Sequence, residues 1–217
     1  MDQKCVLWGR KSSCNVQKVL WTLIELDVPF HHIEVGGVHG GLDAPAYRAL
    51  NPNGLVPTLQ DGDVTIWESH AIVRYLACVY GQNNLWRADP RQRALVDQWT
   101  DWTATTLQPA WIGLFWLLVR TPVEQHDRDA ISTAYERSFG AMHLIERQLA
   151  NQAFLADDEI SYADIVAGVS LYRWFTMDIE RPAMPALEAW YAQLQKRPGF
   201  RQAVMVSYLD LVARLAY

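Results

Sequence analysis

Two stretches decide the fold of this chain: NPNGLVPTL at residues 51–59 and WESHAI at residues 67–72. Val56-Pro57 stands where a short strand begins, a position that tolerates proline because the first residue of a strand need not donate to the sheet ladder. A cis bond here would turn Val56 outward and leave its N–H and C=O free for another partner. Glu68-Ser69 then opens a helix whose first N–H groups lack partners and attract an anion. A free backbone edge beside a helix N-terminus predicts a site for a small peptide that carries a carboxylate.

This pair of segments resembles the glutathione transferase family, whose N-terminal half is thioredoxin-like, with a cis-proline after Val or Ile and a Glu/Gln-Ser pair opening a later helix. Two further stretches extend the resemblance: WGRKSSCNV at residues 8–16 looks like the first strand and active-site loop, and SYADI at residues 161–165 looks like the capping box of the C-terminal domain. Together these motifs span most of the chain. The resemblance is to cytosolic, bacterial members of the theta- or nu-like kind with a serine-type active-site loop.

Composition limits the classes of function. The chain has 217 residues and a net charge of −5, which disfavours a general nucleic-acid binder because phosphate contacts need a basic face. The longest apolar run, residues 110–119, is too short to cross a bilayer, and no secretory leader is visible, so no membrane partner is expected. Cys5, Cys14 and Cys78 form no CxxC pair, which favours a reducing cytoplasm and disfavours disulfides or a metal site.

Periodicity predicts an α/β half followed by an all-helical half. Residues 1–81 read as a thioredoxin-like domain of order βαβαββα, residues 82–89 as a polar linker, and residues 90–217 as an all-helical domain. Its strands are predicted at residues 4–8, 29–35, 57–59 and 64–67, the last two joined through an Asp-Gly turn.

The predicted helical half begins with one long helix, marked by apolar residues from 96 to 118, which Pro109 should kink or split. Ser161 should begin a later helix as a capping box, with Asp164 reaching back to its N–H. Other helices are predicted over residues 130–149, 184–196 and 199–206, and the apolar tail 207–217 should pack as a helix or cover the pocket.

The resemblance implies glutathione as a co-substrate whose thiol must be ionised. A thiol with a pKa of roughly 8.5 is only about 3% thiolate at pH 7, and lowering that pKa to about 6.5 takes about 2.7 kcal/mol. One hydroxyl aimed at the sulfur, with a helix N-terminus, can supply this. Ser13 matches the family's serine, Ser12 is its competitor, and Asn15 resembles the asparagine of a related Thr-x-Asn arrangement. The plain alternative, that Ser13 or Asn15 only caps the helix, is outweighed by the other motifs.

Cys14 opens a second possibility. A thiol at a helix N-terminus is a good nucleophile and can form a mixed disulfide with glutathione, which would make the protein a thiol transferase or reductase. The alternative for Cys14 is a small apolar residue packed under the helix.

The resemblance also assigns the glutathione contacts. Ser69 should hold the γ-glutamyl carboxylate, Glu68 should take the ammonium or orient the helix end, and Val56, before Pro57, should pair its backbone with the cysteinyl unit like an added strand. Many relatives carry Lys or Arg before the Val-Pro pair to hold the glycyl carboxylate, but this chain has Leu55 there. The candidate anchors are therefore His39, Lys11 and Arg10.

The second substrate should be a small apolar or halogenated electrophile. Trp111, Phe115 and Trp116 could wall its pocket, and Arg120 could bind an acidic group, although an aromatic stripe at helical spacing is usually core. The resemblance implies a homodimer, with Arg74 as a candidate subunit contact, and no permanently bound cofactor. The competing class is a non-catalytic module that binds glutathione or apolar ligands on the same fold.

Overall fold

The computed structural model describes residues 5–82 and 84–215. Its N-terminal half is built on a four-stranded sheet formed by β1 (Cys5–Trp8), β2 (Phe30–Ile33), β3 (Thr58–Asp61) and β4 (Val64–Trp67). The strand order is β2-β1-β3-β4, with β1 parallel to β2 and antiparallel to β3. This mixed sheet confirms the predicted thioredoxin-like arrangement.

Three helices complete this half: α1 (Cys14–Glu25), α2 (Pro45–Leu50) and α3 (Ser69–Tyr80). The predicted order βαβαββα is thus confirmed, although β2 is shorter than residues 29–35 at both ends and Lys4, placed in the first strand, lies outside the described residues. The Val56-Pro57 bond is cis, as predicted. Pro57 itself precedes β3, which begins at Thr58.

The second half is helical, and the segment between α3 and its first helix contains no helix or strand among its described residues, which exclude Asn83. Its helices are α4 (Pro90–Trp102), α5 (Gln108–Phe115), α6 (Arg128–Leu149), α7 (Tyr162–Thr176), α8 (Pro185–Leu194) and α9 (Pro198–Ala203). No helix in the described residues is both long enough and apolar enough to cross a membrane.

The long helix predicted around Pro109 is interrupted without being broken. A π-helical turn at Thr103–Leu107 joins α4 to α5, and a second one at Trp116–Arg120 ends α5. Proline lacks an N–H and its ring conflicts with the carbonyl four residues earlier, so a wider turn just before Pro109 relieves both problems. Helix α5, between these two turns, carries Trp111 and Phe115, and both are buried.

One core runs through both halves. Trp21 of α1 is fully buried, with its ring at 5.0 Å and nearly perpendicular to that of Phe200, and it lies against Gly168 and Gly199. A Cβ at Gly199 would come within 2.6 Å of the Trp21 ring. Helix α1 is thereby held between the sheet and the helical half, which keeps its N-terminus in place.

The start of α7 forms the predicted capping box. Asp164 accepts hydrogen bonds from the backbone N–H and hydroxyl of Ser161, both at 2.9 Å, and from Leu155 N–H. The tail forms a short 3-10 turn at Leu209–Leu211 rather than a longer helix, and its last two residues lie outside the described part. The other predicted alternative, that the tail covers the pocket, agrees with Leu211, which lines a cavity beside Ser13.

Candidate active site

The loop after β1 carries the candidate thiol-activating residues. Gly9 has a φ of +145°, and a Cβ there would come within 2.4 Å of the Val16 side chain and 3.1 Å of Val56. Only glycine fits this approach, which brings the end of β1, the start of α1 and the cis-proline loop together. Ser13 is the N-cap residue of α1.

The Ser13 hydroxyl makes no capping hydrogen bond to the helix. Its backbone alone serves the turn, since Ser13 N–H donates to Arg10 C=O and Ser13 C=O accepts from Gln17 N–H. Ser13 is nearly buried and lines a cavity at the end of α1. The hydroxyl is therefore left to face that cavity, in contrast to the capping alternative.

We call this space the outer cavity; it has a volume of about 170 Å³. It lies between the Ser13 loop, α5 with its last turn, and α7. Its lining consists of Arg10, Ser12, Ser13, Cys14, Asn15, Ile112, Phe115, Trp116, Arg120, Arg173 and Leu211. Aromatic and aliphatic walls beside three guanidinium groups make it suitable for a small molecule with an apolar body and an acidic group.

A second, smaller space of about 60 Å³, here called the inner cavity, lies beside it. It is lined by Asn15, Asn51, Asn53, Leu55, Val56, Pro57, Glu68 and Ser69. Asn15 lines both cavities, so this residue stands where the two meet. The predicted peptide site and the predicted electrophile pocket are therefore neighbours.

Partly buried hydrogen bonds hold the backbone of the inner cavity. The side-chain NH₂ of Asn51 donates to Leu55 C=O at 2.8 Å, and the Tyr47 hydroxyl donates to the same oxygen at 2.6 Å. Val56 N–H and C=O form no backbone hydrogen bond with any residue the structure describes. The N–H and C=O of Val56 are thus held in a fixed position at the cavity, where an extended peptide can pair with them.

Helix α3 begins at this cavity. Ser69 is its first residue and is buried, and its hydroxyl lies 3.4 Å from Asn15 Oδ1. Glu68 precedes it with a φ of 74°, an uncommon conformation for a residue other than glycine, and its side chain is exposed. The free N–H groups and the helix dipole make this end attractive to a carboxylate.

Two guanidinium groups lie in the wall of the outer cavity. Arg120 and Arg173 are each only 5% exposed, and Arg120 Nε donates to Arg214 C=O at 2.8 Å. The Arg120 guanidinium lies 3.6 Å from the centre of the Trp116 ring, and that of Arg173 lies 4.8 Å from the Phe115 ring. Stacking on aromatic faces fixes both groups and keeps their charge in the cavity wall.

The structure divides the residues predicted to contact the electrophile into residues that line the pocket and one that packs in the core. Phe115, Trp116 and Arg120 line the outer cavity, whereas Trp111 is 2% exposed and packs behind it, edge to face with Phe115. Trp111 is therefore part of the core and is not in the lining of the pocket. The general expectation that part of an aromatic stripe is core applies to this residue.

The predicted anchors of the glycyl carboxylate are dispersed. His39 is exposed, 3.5 Å from Glu34, and is in the lining of neither cavity, while Leu55 lines the inner cavity with an exposed side chain. Lys11 is exposed, and Arg10 lines the outer cavity.

Two groups of site residues escaped the sequence reasoning. Arg173, on α7, donates to Ser12 C=O across 161 residues of chain, a contact that no local pattern reveals. Asn51 and Asn53 lie within the quoted NPNGLVP stretch, so the sequence already showed that they are close to Val56.

Comparisons with known proteins match both halves of the chain. The family model described as glutathione S-transferase, N-terminal domain matches residues 7–84, and that of glutathione S-transferase, C-terminal domain matches residues 107–198. The glutathione S-transferase GstB of Escherichia coli strain K12 is 41% identical over 202 residues, covering 92% of this chain and 97% of that protein. Glutathione S-transferase F9 of Arabidopsis thaliana is 32% identical over 196 residues, covering 87% and 91%.

Solved structures of glutathione transferases also superpose closely on this chain. A theta class glutathione S-transferase from Xanthomonas axonopodis pv. citri, with glutathione bound, superposes with a TM-score of 0.90 at 46% identity, covering 95% of this chain and 99% of that one. Poplar glutathione transferase F1 superposes with a TM-score of 0.82 at 27% identity, covering 92% and 96%.

Proposed function

The chain belongs to the glutathione S-transferase family and is an enzyme of that family, and from this premise we propose that glutathione lies along the backbone edge bordering the inner cavity and reacts as a thiolate at the outer cavity. The observation that carries the proposal is the junction of the two cavities at Asn15, with Ser13 on one side and Val56 and Ser69 on the other. A tripeptide bound along the inner cavity would place its central sulfur at this junction.

The proposed pose uses groups already in position. The cysteinyl unit pairs with Val56 N–H and C=O as an added strand, and the γ-glutamyl carboxylate meets the N-terminus of α3 at Ser69. Glu68, exposed beside it, takes the γ-glutamyl ammonium group. The glycyl carboxylate extends toward the loop between β2 and α2, where His39 remains the proposed partner.

Replacing Ser69 by alanine is expected to weaken glutathione binding about 10- to 100-fold. A hydrogen bond to a charged group contributes about 1.5–3 kcal/mol, which corresponds to that range of Kd. Isothermal calorimetry at millimolar glutathione measures the change. Ser132→Ala, on the exposed face of α6 and outside both cavities, is the control and should bind like the wild type. Equal Kd values for the Ser69 and Ser132 variants would contradict the proposed pose.

At the junction, Ser13 is proposed to donate its hydroxyl hydrogen to the glutathione sulfur, with the NH₂ of Asn15 as a second donor. Both favour the thiolate over the thiol, and the displaced proton leaves to solvent. The N-terminus of α1 adds a partial positive charge on the same side. The thiolate then attacks an electrophilic carbon held in the outer cavity.

The electrophile is proposed to be small and halogenated, with an apolar body against Ile112, Phe115 and Trp116. The guanidinium groups in the wall favour a substrate that also bears an acid, such as a haloacid. Because the cavity volume is about 170 Å³, a single small molecule fits beside the sulfur.

Replacing Arg120 by glutamine should therefore discriminate between electrophiles. We expect kcat/KM for a haloacid to fall about tenfold or more, since a hydrogen bond from a charged donor is lost, and kcat/KM for an uncharged chloroarene to change much less. Steady-state kinetics with the two substrates checks this. Arg128→Gln, exposed at the start of α6, is the control. An equal loss for both substrates would indicate that Arg120 supports packing alone.

A rival function has one observation in its favour. Cys14 lines the outer cavity beside Ser13, so a thiol transferase or reductase acting through a Cys14–glutathione mixed disulfide uses the same site. Cys14 is 8% exposed, which makes attack on an incoming disulfide sterically harder. The transferase is therefore our first proposal.

The proposed assembly is a homodimer and the proposed location is the cytoplasm, both on the strength of the family resemblance. Arg74, the candidate subunit contact, donates to Asp97 at 2.7 Å and also to Asp101 within the same chain. Its guanidinium thus ties α3 to α4, the surface that would carry the subunit contact.

A further inference from the structure

One buried charge beneath the two cavities is not used by the proposed mechanism. Lys18, on the second turn of α1, is 2% exposed. Its ammonium group donates to three neutral acceptors from three elements: Asn15 Oδ1 at 3.1 Å, His70 Nε2 at 2.8 Å on α3, and Gln108 Oε1 on α5. It forms no ion pair with any residue the structure describes.

Core stability does not account for this lysine. Desolvating a charge is costly, and replacing buried charged groups by apolar residues of similar volume is often neutral or stabilising. A methionine at position 18 would fill much the same space without an ammonium group. The charge is therefore retained at a cost, beside the residue that joins the two cavities.

The ammonium group determines which way the Asn15 amide points. An ammonium nitrogen has no lone pair to accept with, so only the Asn15 oxygen can face it. The same oxygen also accepts from Gln108 Nε2 at 3.1 Å and lies 3.4 Å from the Ser69 hydroxyl. With Oδ1 occupied, the NH₂ of Asn15 is the part of the amide left for the cavities that this residue lines.

Lys18 also keeps most of its charge at neutral pH. Burial lowers its pKa to about 8, while the nearby Cys14 on α1 and Glu68 at the start of α3 act in the opposite direction. His70 faces it from α3, and burial, followed by the charge of Lys18, holds the pKa of His70 far below its usual range. The ring is therefore neutral and accepts, and Lys18 is mostly protonated at neutral pH.

From this geometry we propose that Lys18 is a positioning residue of the active site: it fixes the Asn15 amide with its NH₂ toward the glutathione sulfur and sets a buried positive charge beneath it. The inference rests on the proposed function, because it needs a thiolate at the cavity junction. Both effects favour the ionised thiol, whose proton leaves to solvent.

The test is the pKa of enzyme-bound glutathione, read from the ultraviolet absorbance of the thiolate and from the pH profile of kcat/KM. Lys18→Met should raise that pKa by about one unit or more, so kcat/KM at pH values below the wild-type thiol pKa should fall about tenfold or more. At a pH well above the thiol pKa, the loss should shrink. A purely structural role would lower kcat/KM by the same factor at every pH.

Two companion variants sharpen the result. Lys18→Gln retains an NH₂ that can donate to Asn15 but carries no charge, so it should fall between the wild type and Lys18→Met. Thr22→Val, one turn further along α1, removes a fully buried hydroxyl that donates to the backbone C=O of Lys18. It leaves the Lys18 ammonium group in place and should therefore leave the pH profile unchanged. If Lys18→Met folds, binds glutathione and shows the wild-type thiol pKa, the inference is overturned.

A crystal structure of the wild-type enzyme with glutathione decides the geometry without any substitution. The Asn15 NH₂ should lie within hydrogen-bonding distance of the sulfur, and an Asn15 amide turned away from it would overturn the inference. Failure of the wild type to bind glutathione would instead overturn the proposed function. A wild type with an acidic bound thiol that Lys18→Met leaves unaltered would refute only the role of Lys18.

Discussion

Replacing Ser13 by alanine is expected to lower kcat/KM for a chloroarene or haloacid about 10- to 100-fold. The hydroxyl is not used to cap α1, it lines the outer cavity, and the donor it offers is worth most when the sulfur is ionised. The loss should appear in kcat rather than as a weaker affinity for glutathione, because the tripeptide backbone is held elsewhere. Steady-state kinetics with calorimetry for binding separates these quantities.

Two neighbouring substitutions test whether the effect is specific to Ser13. Ser12→Ala removes the competing hydroxyl, and a loss equal to that of Ser13→Ala would show that the two share the role. Cys14→Ala should leave conjugation close to the wild type but abolish any glutathione adduct that mass spectrometry detects after treatment with glutathione disulfide. Unchanged turnover in Ser13→Ala with loss of activity in Cys14→Ala would reverse our ranking of the two functions.

Replacing Asp164 by alanine is expected to destabilise the protein by about 3–5 kcal/mol. The carboxylate is fully buried and accepts from Ser161 N–H, Ser161 hydroxyl and Leu155 N–H, so its removal strands three buried donors. Each unsatisfied donor costs about 1–3 kcal/mol, and relaxation recovers part of the sum. The loss falls at the N-terminus of α7, the helix that carries Arg173.

Chemical denaturation followed by fluorescence measures this destabilisation. Asp158→Ala, exposed and only six residues away, is the matched control and should change the free energy of unfolding by less than about 0.5 kcal/mol. Asp164→Asn is the stricter variant, because its NH₂ must face either Leu155 N–H or the Ser161 donors. A free energy of unfolding within 1 kcal/mol of the wild type for both Asp164 variants would contradict our account of the box.

The parts of the fold that follow from local chemistry were predictable. The Val56-Pro57 bond, the start of α3 at Ser69 and the Ser161 capping box each depend on residues within a few positions of one another. The interruption near Pro109 was also predictable, because proline cannot donate an N–H. Its form as a π-helical turn depends on how α4 and α5 pack, which no local pattern specifies.

The parts of the site that depend on contacts across the chain were not predictable. Arg173 reaches Ser12 only because α7 packs beside α1, and Trp111 points into the core although it shares the apolar surface of α5 with Phe115. Lys18 left a faint signal, since it stands between Val16 and Val19 on the buried face of α1. A lysine there identifies a buried charge, but its partners on α3 and α5 come only from the fold.

The contact between Trp21 and the glycines of the helical half limits which halves of related proteins can be combined in a chimaera. The Trp21 ring packs in the space that Gly168 and Gly199 leave by having no side chain, so the two halves of the chain are sterically complementary at this contact. A chimaera that joined this sheet half to the helical half of a relative would inherit a compatible seam only if that relative also kept small residues at both places. We therefore expect such chimaeras to pack well only when the helical half comes from a relative with small residues at these two positions.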